Sequence, residues 1–281
     1  MMVKEKLIKF ICSFIPVCSW RRKFRRVMTD ELNNTEFGRH IAKNLDDNGP
    51  TIYLNRLALI SSKKKFIYFK IYKCACTKIM GSLIEDLTSQ SLRESHIIHG
   101  VKWYKEIETD IQIDKNIESV LKDPAYFKFT FVRNPYDRLL SAWKSKIDNP
   151  DKGPGKGDGN RQRRKINKKG ERVSFEEFVN LLYERRDGSS SFDKHWAPQH
   201  CLLLLGFIKY DFVGKIENFN EDFGFVLRKI NAKPEIIEQI SAKINQTPKT
   251  QLSDYYTDDL KNKVYKIYKK DFELFGYEKE L

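Results

Sequence analysis

Residues 65–87, KFIYFKIYKCACTKIMGSLIEDL, decide how the rest of the chain is read. Phe66-Ile67-Tyr68-Phe69 is a short β-branched and aromatic run, the composition of a buried strand, whereas Ile79, Leu83 and Leu87 recur at helical spacing. The segment predicts strand, tight basic turn, helix. Such a turn gathers backbone N–H groups and the positive end of a helix dipole at one point, where Lys73 adds an ammonium and Thr77 a hydroxyl. That combination suits an anion, phosphate or sulfate above all.

The pattern returns downstream. Tyr126 to Val132, YFKFTFV, reads as a strand that ends in Arg133-Asn134-Pro135, and Tyr136 to Lys146 takes up helical periodicity through Leu139, Leu140 and Trp143. Two such units predict an α/β fold: a single P-loop-like domain, its parallel β-sheet flanked by helices, with ligand at the carboxyl ends of the strands. Arg133 leaves its strand where it can fork onto a phosphate, and Ser141, two helical turns on, can supply a hydroxyl to the same group.

Around these units the chain divides into a basic amphipathic segment (1–30), a connection (31–61) and the main domain (62–281). The opening KEKLIKFICSFIPVCSWRRKFRR is apolar but broken by Lys9 and Pro16, and is too short for a span of about 20 apolar residues. Its charges follow the apolar part, against the order of a secretory signal. Two readings stand: a helix lying on an anionic membrane, with Phe10, Phe14 and Trp20 in the lipid boundary and Arg21, Arg22, Arg25 and Arg26 on head groups, or a plain packing helix. Residues 149–172, NPDKGPGKGDGNRQRRKINKKGER, read as a basic surface loop, either a solvated insertion or a lid over an anionic acceptor. Ser174 and Glu177 form a capping box before Phe178, Leu181 and Leu182; a strand (208–219), a helix (221–230) and a closing helix (254–275) follow. No internal repeat is visible.

With 281 residues, 13% of them aromatic, the chain buries a core and is no disordered polymer. Its net charge of +14 predicts attraction to polyanions without choosing among nucleic acid, lipid, acidic polysaccharide and nucleotide. The five cysteines are an odd, scattered set, which favours a reducing compartment over a disulfide framework. No second Cys or His pair stands at ligand spacing from Cys74 and Cys76, so no metal is expected.

At this point the motifs resemble those of a known family. YKCACTKIM is similar to the 5′-phosphosulfate loop of the carbohydrate sulfotransferases, of the chondroitin 4-sulfotransferase-like branch, in which a Lys and a Thr embrace 3′-phosphoadenosine 5′-phosphosulfate (PAPS). FTFVRNPYDRLLSAW resembles the family's 3′-phosphate motif, HWAPQHCLLLLGFIKYDFVGKIENF its third block and VYKIYKKDFELFGYE its C-terminal signature, in family order over about residues 62–278. The resemblance implies PAPS as co-substrate, held by Lys73, Cys74, Ala75, Cys76, Thr77 and Lys78 at the phosphosulfate and by Arg133, Arg138 and Ser141 at the 3′-phosphate. Arg138 has an alternative role, tying its helix to the protein body.

Lys73 is placed to stabilise charge on the leaving phosphate, and a general base must take the proton of the acceptor hydroxyl. His96, His99 and His195 are the candidates, with a carboxylate as the alternative; the resemblance favours His99, then His96, while His195 reads as a residue that positions its neighbours or packs against Trp196. The start of the chain resembles bacterial envelope-glycan transferases at the inner face of the membrane. It implies a glycan acceptor rather than nucleic acid and a cytoplasmic, peripheral location, with the Golgi lumen as the eukaryotic alternative. The rivals are a P-loop kinase-like phosphotransferase, whose G-x-x-x-x-G-K-[ST] motif is missing, and a non-enzymatic polyanion- or membrane-binding module.

Overall fold

A computed structural model describes residues 57–89, 117–148, 173–186, 193–205, 207–242 and 251–281. The amphipathic segment 1–30, most of the 31–61 connection, His96, His99 and the basic loop 149–172 lie outside these residues. Both strand–turn–helix units are present. β1 (Ala58–Ser61) turns into β2 (Phe66–Phe69), which passes through residues 72–75 into α1 (Cys76–Thr88). After α2 (Ile117–Lys122), β3 (Phe127–Val132) leads through Arg133 and Asn134 into α3 (Pro135–Trp143), which unwinds into a π-helical turn, Lys144–Asp148.

The sheet is four-stranded, in the order β1-β2-β3-β4, with β4 at Phe212–Lys215. β2, β3 and β4 run parallel, pairing Phe69 with Thr130 and Val132 with Lys215. β1 runs the other way, pairing Ser61 with Phe66. The four residues between β1 and β2 are too few for a crossover, which takes a dozen or more, so this edge strand must be antiparallel. β1 also lies inside the stretch expected to be a connection. Likewise the strand expected over 208–219 shortens to β4, because a 3₁₀ turn (Ile216–Asn218) and α6 (Phe219–Lys229) take its second half.

Strand alternation sends Phe66, Tyr68, Phe129 and Phe131 to one face, where they pack on Ile79 and Leu83 of α1 and on α6 and α7 (Pro234–Ala242). Ile67 and Phe69 face the other way, against Leu202, Leu203 and Leu204 at the end of α5 (Gln199–Leu202). A third cluster joins α3 to α4 (Phe175–Glu184) and α8 (Asp258–Phe275) through Tyr136, Phe178, Trp196 and Phe272. The Ser174–Glu177 capping box is formed, each partner bonding the other's backbone N–H.

Gly214 of β4 is where two layers come closest: a Cβ there would lie 2.4 Å from the Phe131 ring. That ring is held by Phe212, Phe219 and Phe223, with centroids 5.8 to 6.3 Å away, and has no room to yield. Gly214→Ala is therefore expected to destabilise by about 1–3 kcal/mol, read as a lower denaturant midpoint. An unchanged midpoint would show the ring to be mobile.

Candidate active site

The carboxyl ends of β2, β3 and β4 converge, and the two basic turns meet there. In the first turn the backbone is left-handed at Lys73 (φ 71°) and Ala75 (φ 48°), each costing about 1–2 kcal/mol for a residue with a Cβ. The contortion brings Ala75 to the N-cap of α1 with no side-chain cap, and no acidic residue stands in the first turn. By contrast α3, α4 and α8 are capped by Asn134, Ser174 and Thr257 and carry acidic first turns. An uncapped N-terminus beside a lysine has its positive end available for an anion.

Arg133 crosses from the second turn to the first, its guanidinium donating to the Lys73 carbonyl at 3.3 Å and pairing with Asp137 at 3.6 Å. Lys73 Nζ donates to Ser145 Oγ at 2.7 Å, so the π-helical turn after α3 also reaches the site. Burial, with the nearby Lys146 charge and then Arg133 and Arg138, lowers the Lys73 ammonium to a pKa of about 8 against the opposing pull of Cys76. Positive charge is in excess here, and a bound anion relieves it.

One buried side chain fastens the turns together. The Gln199 amide accepts from the Arg133 N–H at 3.0 Å and the Cys74 thiol at 3.3 Å, and donates to the Arg133 carbonyl at 2.8 Å. Its own N–H donates to Asp271 Oδ2 at 2.7 Å, while Asp271 Oδ1 takes the His200 N–H and pairs with His200 Nδ1 at 2.6 Å. Glu217, just past β4, accepts from the Asn134 N–H at 2.7 Å and from the Tyr277 hydroxyl at 3.1 Å.

Of the residues singled out in the sequence, the structure brings Lys73 and Arg133 together and places Thr77 in the first turn of α1 and Ser141 on α3. Lys78 sits with its ammonium 4.3 Å from the centre of the Phe219 ring. Cys74 and Cys76 are buried; burial lifts the Cys74 thiol to about 12 and the Cys76 thiol above its usual range, so both stay protonated. The Cys74 thiol bonds Gln199. Arg138 is 2% exposed and its guanidinium bonds the Tyr72, Ala197 and Lys194 carbonyls, the tie to the protein body that was its alternative role. Among the described residues no group of three or more His, Cys, Asp or Glu could hold a metal, and no helix is long and apolar enough to cross a membrane.

Gln199 and Ser145 were not picked out from the sequence. Only the PQ pair inside the third block pointed at Gln199, and nothing marked Ser145 beyond its place four residues after Ser141.

The chain is similar to several carbohydrate sulfotransferases. Carbohydrate sulfotransferase 11 of Rattus norvegicus is 28% identical over 240 residues, 78% of this chain and 66% of its own. Carbohydrate sulfotransferase 12 of Xenopus laevis is 27% identical over 282 residues, 88% of this chain and 66% of its own. Carbohydrate sulfotransferase 14 of Danio rerio is 32% identical over 166 residues, 54% of this chain and 44% of its own. The chain thus spans just under two thirds of the length of the first two relatives. No solved structure gives a significant match. The model of the Sulfotransferase family matches residues 56–278, a stretch holding both basic turns, Gln199 and α8, and the chain belongs to that family.

Proposed function

We propose that this protein moves a sulfuryl group from PAPS to a hydroxyl of a cell-surface glycan. The observation that carries the reading is the junction of the two turns: the uncapped N-terminus of α1 with Lys73 on one side, Arg133 on the other, and Gln199 between them. A donor with a phosphosulfate at one end and a 3′-phosphate at the other needs two anion sites at a fixed separation. Lys73 and the first N–H groups of α1 would stabilise the charge that builds on the leaving phosphate, with Thr77 beside them. Arg133 and Ser141 would grip the 3′-phosphate, as a guanidinium and a hydroxyl do. Attack is in line, with no covalent enzyme intermediate and no metal. The relatives' names, carbohydrate sulfotransferases, support a sugar hydroxyl as acceptor.

The catalytic body takes in residues 62–281 with β1 before it, and its first turn takes the part of a P-loop without that motif's glycines. Residues 4–26 supply peripheral contact with an anionic membrane, as an amphipathic helix with its arginines on head groups, and the enzyme works at the cytoplasmic face on bacterial envelope polysaccharide.

Titration with adenosine 3′,5′-bisphosphate (PAP) tests the donor site. Saturable binding is expected, weakened about 10- to 100-fold in Arg133→Ala through loss of a charged hydrogen-bonding group. Magnesium-dependent ATP binding in its place would favour the kinase-like reading, and no nucleotide binding would favour the polyanion module. Transfer of labelled sulfate to a panel of methyl glycosides and envelope polysaccharides then identifies the acceptor.

A further inference from the structure

His195 stands beside the donor turn in a setting that packing alone does not explain. Its ring lies 4.8 Å from the ring of Tyr72, the residue before Lys73. Asp193 holds it twice, through the backbone N–H at 3.0 Å and through Nδ1. This fixes the tautomer: with Nδ1–H donated to Asp193, Nε2 carries a lone pair. Nε2 makes no hydrogen bond among the described residues. The residue itself is 4% exposed. An oriented, neutral imidazole whose second nitrogen is left unbonded is what a proton acceptor needs.

We propose that His195, oriented by Asp193, is the general base of the transfer. The inference rests on the donor reading above and deepens it. As the acceptor oxygen forms its bond to sulfur, the bond from sulfur to the 5′-phosphate oxygen breaks and its electron pair leaves with PAP. The acceptor O–H bond gives its electrons to the oxygen, and its proton passes to Nε2 of His195, to be released to water after product departs. Asp193 is a positioning residue, which steadies the imidazolium formed in that step.

Among the described residues, the groups around the ring are Asp193, Lys194 and Trp196 on its own segment, Tyr72 from the β2–α1 turn, and Lys146 from the π-helical turn. Lys146 acts on both Lys73 and His195, which places the two in one electrostatic neighbourhood. Burial, with Lys146 and Lys194, holds the imidazole below its usual pKa despite the pull of Asp193. The base is therefore unprotonated at neutral pH.

The test measures single-turnover loss of the sulfuryl group from labelled PAPS, to the best methyl glycoside of the panel or to water, with PAP affinity measured in parallel. His195→Asn is expected to lower the rate about 10²- to 10⁴-fold with PAP affinity unchanged. The unaltered protein should show an acid limb with its midpoint below 6.5, which the variant loses, and imidazole should restore rate to His195→Ala. A rate within about 3-fold of the unaltered protein would overturn the proposal; so would a fall that tracks lost PAP affinity or thermal stability. Loss of the acid limb in His99→Ala or His96→Ala, with His195→Asn still active, would assign the base there instead and also overturn it. An unaltered protein that binds PAP but never discharges PAPS overturns this inference alone, whereas one that binds no PAP overturns the donor reading with it.

Discussion

Lys73→Ala is expected to lower turnover about 10²- to 10³-fold while leaving the ligand-free protein about as stable as before. The kinetic loss is that of a fixed cation aimed at developing charge. The stability of the empty protein follows from the lysine's surroundings: its ammonium is crowded by Lys146, Arg133 and Arg138 in a largely buried turn, so folding costs part of its charge. The alanine variant gives up one hydrogen bond to Ser145, about 1 kcal/mol, and is relieved of that crowding. With a folded pKa of about 8, lowered from 10.5, the free site loses its Lys73 charge as pH rises through 8, so PAP affinity should fall above that pH in the unaltered protein. In Lys73→Ala that pH dependence should vanish. Full turnover in the variant, or an undiminished dependence, would remove Lys73 from the chemistry.

Asp271→Ala is expected to cost about 3–5 kcal/mol, the range for breaking a buried charged pair. The carboxylate, fully buried on α8, holds two backbone N–H groups and the His200 imidazole. Burial alone would push His200 down; its bond to Asp271, with a contribution from Cys201, outweighs that and raises it to about 9. A pKa raised in the folded state adds stability that is complete below 6.5, the usual value, and is lost as pH climbs through 9. Chemical denaturation between pH 6.5 and 9 should therefore show a decline in the unaltered protein and a flatter profile in Asp271→Ala. Matching profiles would mean that the pair contributes nothing to folding.

What could be read in advance was whatever the chain encodes over a few residues. The strands, the basic turns and the Ser174–Glu177 cap depend on neighbours within one or two turns, and their signals are correspondingly plain. β1 escaped notice because ALIS is only four residues, three of them apolar, with no alternation to betray a strand. Gln199 meets Cys74 and Arg133 across 125 and 66 positions, and Ser145 meets Lys73 across 72; no local pattern reports such encounters. Arg138 was ambiguous for a related reason. Helical spacing gives the side of α3 it projects from, but not the depth at which three carbonyls await it.

The Gln199 amide has a further consequence under the proposed function. Because Cys74 hangs from its oxygen and the Arg133 backbone from both ends of the same group, this amide, with the Arg133 guanidinium on the Lys73 carbonyl, ties the two turns into one frame that would hold the span between the two anion sites. The site would then work as a gauge: a nucleotide whose anionic groups are spaced differently would be refused for its length before any contact to its base is made.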